Sequence, residues 1–365
     1  MAAGMHLGLR TTVNLETRAY LNEFAGSDIN SPGEPGVIYL MGAGFATPLA
    51  AAAATTLAGY RHQAIARNLG LVDRINPHLD MAAIDYERDV VPLTPGGCPT
   101  ERHIVRAYVN RVRAIMPDTR AQIAFWSKIL GKPESDIATI LDTLPVLEEY
   151  IRARLAKKGG VGYIQPSPNT FPTADNFISW VGSCGAVPMY AWLDGASMGE
   201  QKPLDLLACL KSKGIAAVNI IPDRNWRFSD PKKHAEKTAK LREFVSTAAA
   251  LDMPINIGTE MNKDGLPDID DLSTAALSPY RQEFLRSAQI FVGHMSLSRY
   301  ASFPYCGQDA KAEFGDNIRA KNRFFMEVGA LPPLVSDVAR RLDKTGPARA
   351  LLAMRDSIQK QRWLI

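Results

Sequence analysis

Carboxylates, amides, one imidazole and two arginines recur at one kind of place in this sequence. They sit at the carboxyl ends of short apolar, β-branched runs, or just beyond them. They are Glu16 with Arg18, Gln165, Asp194 after Trp192, the Asp223, Arg224 and Asn225 cluster, Glu260 with Asn262, and His294. Oxygen donors with an imidazole suit a hard divalent cation or Zn²⁺, and phosphate or sugar substrates. Arg18 or Arg224 could grip an anion with two parallel N–H bonds. Gathered in one mouth, such an array can generate a metal-bound hydroxide. Plainer readings stand beside these. Asp194–Gly195 is a common turn pair, and Asp223 could simply cap the turn before Trp226. Gly42 and Gly44 allow a backbone to come close to a ligand, or form a tight strand-to-helix turn. His62, His78 and His103 have no metal-ligand spacing around them, and Lys232, Lys233, Lys237 and Lys240 read as a solvated helix face.

The elements that must position these groups are clearest between Ala216 and Gly265. Val218 to Ile221 reads as a strand buried on both faces, stopped by Pro222. Asp230 and Pro231 then form an N-cap with proline at the first helical position. Leu241, Phe244, Val245, Ala248 and Leu251 follow at helical spacing, and Ile255 to Ile257 forms the next strand. This is a βαβ unit, which predicts parallel strands and a right-handed crossover. Further strands are predicted at Leu9 to Tyr20, Val37 to Met41, Val161 to Ile164, Val187 to Leu193 and Gln289 to Val292, six or seven in all. In parallel α/β folds functional groups collect at the carboxyl ends of strands, so a shared site is expected there. Residues 46–158 carry no strand signal and read as successive helices, a helical insertion or cap over a barrel mouth. The expected division is 1–45 for the first barrel strands, 46–158 for the insertion, 159–330 for the rest of the barrel, and 331–365 for C-terminal helices.

The chain has 365 residues, 46% of them apolar, which suits one elaborated α/β barrel. A formal charge of +4 argues against nucleic acid as the main partner. Cys98, Cys184, Cys209 and Cys306 are scattered with no C-x-x-C pair, which suits a reducing cytosol. The opening residues lack a signal-peptide core, and the small-residue run from Ala46 to Gly59 is too short and too polar to span a bilayer. The expectation is a cytoplasmic protein with no membrane partner.

NLETRAYL, NSPGEPG, GVIYLMGAGF, NIIPDRNW and INIGTEMN together resemble a family of bacterial metal-dependent hydrolases, the polymerase and histidinol phosphatase (PHP) superfamily. That resemblance implies a distorted seven-stranded (β/α) barrel, a TIM-like form carrying Mn, Zn or Mg. A G-x-E glutamate on an early strand ligates metal in that superfamily; here Asn14-Leu15-Glu16 has Asn for Gly. The late G-S-D-x-H motif corresponds to Gly258-Thr259-Glu260-Met261-Asn262, with Glu for Asp and Asn for His. The opening H-x-H motif has no counterpart, since His6 is the only histidine before Glu16. The resemblance therefore implies an incomplete barrel, shortened at its start or stripped of most ligands. Its exposed edges would invite a cap or a homo-oligomer.

The resulting expectation is a metal-dependent hydrolase of small anionic substrates, phosphoesters foremost. Glu16, Glu260 and Asp194 would hold the metal, Asp223 would act as base or ligand, His294 as ligand or general acid, and Arg224 as anion clamp. Arg18, Gln165, Asn225 and Asn262 would bind substrate. Two other classes use the same residues: a sugar isomerase or lyase on a barrel, and a degenerate barrel that binds a ligand without turnover.

Overall fold

The computed structural model describes residues 12–94, 96–260 and 266–365. Along the chain the elements are β1 (Leu15–Tyr20), β2 (Val37–Ala43), α1 (Ala51–Leu79), α2 (Glu101–Ile115), α3 (Thr119–Leu130), α4 (Glu134–Ile140) and α5 (Leu144–Leu155). There follow α6 (Ala174–Ser183), β3 (Val187–Ala191), α7 (Pro203–Ser212), β4 (Ala217–Ile220), the single turn α8 (Pro222–Asn225), α9 (Pro231–Ala250) and β5 (Ile255–Ile257). The chain ends with α10 (Arg281–Ala301), α11 (Gln308–Phe314), α12 (Ile318–Ala330), α13 (Ser336–Thr345) and α14 (Pro347–Lys360). The last breaks fall at Pro332–Pro333 and Gly346, as the sequence predicts.

The chain divides into two compact units. One combines the residues up to Pro32 with Gly36–Ala54 and Thr173–Ile365; the other combines Gly33–Pro35 with Thr55–Pro172.

The first unit holds a mixed α/β fold. Its sheet runs in the order β1-β2-β3-β4-β5 and does not close. The barrel expected from the sequence is therefore replaced, among the described residues, by an open five-stranded sheet. The expectation of parallel strands holds for β3 with β4 and β4 with β5. It fails for β2, which runs antiparallel to both β1 and β3. For β1 and β2 the reason is the connection: a parallel pair needs a crossover that carries the chain back along the sheet, usually a helix. Residues 21–36 instead fold back on themselves, with Leu21 N–H donating to Gly36 O at 2.8 Å and Gly36 N–H to Ser27 O at 3.0 Å. That loop returns the chain as a hairpin, pairing Glu16 with Met41 and Tyr20 with Val37.

The sheet is covered on two faces, because consecutive strand residues point to opposite sides. Val187, Met189 and Ala217 join the core formed by Phe291, Leu297, Phe325, Val328 and Met354 from the C-terminal helices. Tyr190 points the other way, its ring 6.4 Å from Phe244 on α9. The α10–α12 crossing is unusually close. A Cβ on Gly293 would lie 1.9 Å from Phe325 O, and one on Gly329 1.8 Å from Gln289 O.

Two predicted strands are not strands. Gln289–Val292 lies inside the 21-residue helix α10. A four-residue apolar run does not separate a buried strand from a buried helix. Here the buried positions Phe284, Ser287, Ile290, Phe291, His294 and Leu297 recur at helical spacing. Val161 to Ile164 is a loop, with Val161 and Ile164 each 41% exposed. Its backbone closes the end of α5, Gly162 N–H donating to Leu155 O at 2.8 Å.

The second unit is helical, with its own core of Leu71, Val72, Ile75, Tyr108, Val112, Trp126, Leu147 and Ile151. Its helix ends are locally encoded. Asp118 caps α3 through Ala121 N–H, and Gly131 stops it at φ +64°. At α2 the imidazole of His103 takes the place of the usual glutamate, Nδ1 accepting from Thr100 N–H at 3.0 Å. No helix among the described residues is long and apolar enough to cross a membrane.

Candidate functional site

The turns that follow β4 and β5 carry Asp223, Arg224, Arg227 and Glu260, four charged groups in the first unit. Residues 217–220 of β4 are buried throughout. Pro222 opens the single turn α8, which sets Asp223, Arg224 and Asn225 at the strand's end. β5 leads into Gly258, Thr259 and Glu260. Gly258 is required here: a Cβ would sit 2.6 Å from Asn219 Nδ2. Asn219 is a buried amide whose Oδ1 accepts from Asn256 Nδ2 at 2.7 Å, so the two strand ends are locked side by side.

Two guanidinium–carboxylate pairs result. Arg224 reaches Glu260 Oε1 from Nε at 3.2 Å and from Nη2 at 3.1 Å. Arg227 Nη1 lies 3.1 Å from Asp223 Oδ1. That second contact is Coulombic without hydrogen-bond alignment, since Asp223 Oδ1 has no hydrogen-bond partner. Thr259 Oγ1 donates to Asp270 Oδ2 at 2.5 Å. Asp270 is only 8% exposed, and its carboxyl is raised above the usual range by burial and by the negative Asp223, with Thr259 and Arg227 pulling the other way. Glu16, from the far end of the sheet order, comes within electrostatic range of Glu260. Partial desolvation and that like charge raise its carboxyl. Glu16 as a residue is exposed on β1, so water damps the effect.

The sequence-predicted residues thus separate into groups. Asp223, Arg224 and Glu260 share one rim, and Glu16, level with Met41 and Met189 in the register, is linked to it only by its electrostatic interaction with Glu260. Asn225 supports it from below: fully buried, it donates through Nδ2 to Leu193 O at 2.8 Å and leaves Oδ1 without a partner. Arg18 lies on β1 opposite Tyr39 in the register. Asn262 lies outside the described residues. Gln165 belongs to the helical unit, where its Oε1 accepts from the Tyr163 hydroxyl at 3.2 Å.

Asp194 and His294 do not fit the roles expected of them. Asp194 caps its own turn through Ala196 N–H at 2.9 Å and pairs with Lys237 Nζ at 2.8 Å. Lys237 is buried, not part of a solvated face. His294 is fully buried in α10. Its Nδ1 accepts from Tyr305 N–H at 3.1 Å and its Nε2 lies 2.9 Å from Gly44 O. That places the proton on Nε2 and leaves no lone pair for a metal. Burial pushes its pKa down to about 4, with the Gly44 bond opposing. Gly44 is the position that admits the ring: it has φ +76°, and a Cβ there would meet His294 Cδ2 at 2.5 Å. The close approach that this glycine permits is to the protein's own imidazole.

Among the described residues the donor set therefore does not fit the divalent metal that the resemblance implies. Glu260 is held by Arg224, Asp194 by Lys237, and both His294 nitrogens by the backbone. Among the described residues no group of three or more His, Cys, Asp or Glu side chains could hold an ion.

Sequence reasoning missed Arg227, Thr259, Asp270 and Glu200. Arg227 was findable from its four-residue spacing to Asp223, although it lies just past α8 and not on it. Glu200 is 1% exposed and gathers Tyr190 OH at 2.6 Å with the N–H groups of Leu193, Asp194 and Gly195. It shapes the turn after β3, and nothing in its local sequence marks it.

No family model matches this chain, and no curated protein matches it. Among solved structures, an amidohydrolase from Chromobacterium violaceum, with sulfate bound and no metal, aligns at 12% identity over 78% of this chain and 80% of its own, with a TM-score of 0.46. A proposed metal-dependent phosphoesterase from Bifidobacterium adolescentis aligns at 18% identity over 78% and 79%, with a TM-score of 0.44. At that distance no residue's role follows from either.

Proposed function

We propose that this protein is a hydrolase of small anionic esters, phosphoesters foremost, working at the rim after β4 and β5. One observation carries the reading: Arg224 and Arg227 gather with Asp223, Glu260 and Asp270 after β4 and β5, Glu16 comes within electrostatic range of Glu260, and the Glu16 and Asp270 carboxyls are raised. Arg224 and Arg227 present planar forks suited to the equatorial oxygens of a phosphoryl group. Water is the nucleophile, and Asp223 or Glu16 accepts its proton. Raised carboxyls are tuned toward neutral pH, where proton transfer is most effective.

The test uses the full chain with phenyl phosphate and p-nitrophenyl phosphate, assayed with chelator and then with added Mn²⁺ or Zn²⁺. Phosphate release that falls on Arg224→Ala and Glu16→Gln is expected. No release from either ester under any of these conditions overturns the reading.

A second reading is a ligand-binding protein without turnover. The pairing of Glu260 with Arg224 and of Asp223 with Arg227 favours it, because each carboxylate then has its own partner. Calorimetric binding of inorganic phosphate that depends on Arg224, with no ester cleaved, distinguishes the two.

A further inference from the structure

Asp270 lies in the stretch after β5, and with Glu200 it is one of the buried carboxyls among the described residues. Its surroundings are specific. The Thr259 hydroxyl from the end of β5 holds Oδ2 at 2.5 Å. Asp223, from the turn after β4, faces it with like charge, and Arg227 from the same turn faces it with opposite charge. On its own loop, Asp271 turns away, its Oδ1 occupied by Ser273 N–H at 2.8 Å and Ser273 Oγ at 2.6 Å. The two carboxyl groups thus have unequal partners, and Arg227 acts on Asp270 only through its field. Asp223 is paired with Arg227, whereas the hydrogen bond found at Asp270 is from a neutral hydroxyl. When two carboxyls share a site in unequal surroundings, one keeps its proton and the other its charge.

We propose that Asp270 is the general acid of this rim, donating its proton to the leaving oxygen of the ester, with Asp223 paired to Arg227 beside it. The inference rests on the hydrolase reading and adds a residue to it. In the step, water adds to phosphorus and gives up one proton to Asp223 or Glu16. The phosphorus–oxygen ester bond breaks, and the leaving oxygen takes the proton of Asp270. The alcohol departs, and the proton gained by the base returns through solvent to Asp270, so the protein ends as it began. The burial of Asp270 fits this duty, since charging it as it delivers the proton is offset by Arg227. Thr259 acts as a positioning residue, fixing the orientation of the carboxyl.

Leaving-group dependence tests the idea. p-Nitrophenolate leaves without a proton, whereas phenolate is a far more basic leaving group. Asp270→Asn is expected to lower kcat on phenyl phosphate by about 10²–10⁴-fold, the range for general acid catalysis, and to change kcat on p-nitrophenyl phosphate only a few-fold. Equal losses on both esters overturn the acid role while leaving the hydrolase reading in place. A wild-type protein that cleaves neither ester overturns both. Thr259→Val serves as a second variant that keeps the carboxyl. Removing the hydroxyl that lowers the Asp270 pKa should move the alkaline limb of the phenyl phosphate pH profile upward. An unmoved limb overturns the assignment. A carboxyl ¹³C titration of Asp270 in the free protein reads the same shift without turnover.

Discussion

His294 was expected to serve catalysis, and its structural role makes a quantitative prediction. The ring is fully buried, with Nδ1 accepting from Tyr305 N–H and Nε2 donating to Gly44 O. Protonating it would place a charge in the core and set two N–H groups against each other. Its pKa is lowered from 6.5 to about 4 in the folded protein. The unfolded chain therefore binds a proton that the folded chain refuses between those two values. The stability linked to this group is fully present above about pH 6.5 and is lost as pH falls toward about 4. At 1.36 kcal/mol per pKa unit, the whole loss is about 3 kcal/mol, and about 2.5 kcal/mol of it is gone by pH 4.5. Carboxylates also titrate in this range, so the useful quantity is a difference between proteins. Urea unfolding of wild type and His294→Gln at pH 7.5 and 4.5 isolates it. The variant is expected to be less stable at pH 7.5 by about 1–3 kcal/mol, because the amide cannot reproduce both backbone bonds. It should lose about 2.5 kcal/mol less than wild type between the two pH values. Parallel losses, or an imidazole that titrates near 6.5 by proton NMR, would refute the buried-neutral account.

Gly293→Ala should cost about 3 kcal/mol in urea unfolding, the upper end of overpacking, because its Cβ would fall 1.9 Å from Phe325 O and α10 also carries Ser287, whose hydroxyl accepts from Ile255 N–H at the start of β5. Arg224→Ala should raise KM for phenyl phosphate about 10–100-fold through loss of charge-assisted bonds worth about 1.5–3 kcal/mol, and Arg224→Lys should recover only part of it. Asp194→Ala should destabilise by about 2 kcal/mol by leaving Lys237 buried and unpaired, and the double variant with Lys237→Met should regain most of that; a double variant as unstable as the single one would contradict the pairing. Glu260→Gln should leave the Mn²⁺ or Zn²⁺ content of dialysed protein unchanged, as measured by elemental analysis; a drop of more than half would show that Glu260 ligates after all.

Much of the local structure is determined by the sequence alone. Asp230 before Pro231, Thr173 before α6 and Asp118 before α3 cap their helices through backbone N–H groups two or three residues on, and these signals act over a few residues. The β4–α9–β5 unit is likewise determined, because a strand, a long amphipathic helix and a second strand have one favoured handed arrangement. That unit is why Asp223, Arg224 and Glu260 could be placed together before any coordinates. What only the tertiary structure decided depends on partners far along the chain. β2 runs antiparallel because of how residues 21–36 fold back and how β2 meets β3, not because of its own apolar pattern. His294 became a core residue through Gly44, 250 positions away. Lys237 and Asp270 look like surface charges in sequence and are buried only because Asp194 and the turns after β4 and β5 enclose them. Spacing reveals which residues can share a helix face or a strand end. Which charges lose their water is settled only when distant segments pack, since burial is a property of the assembled neighbours and not of the residue.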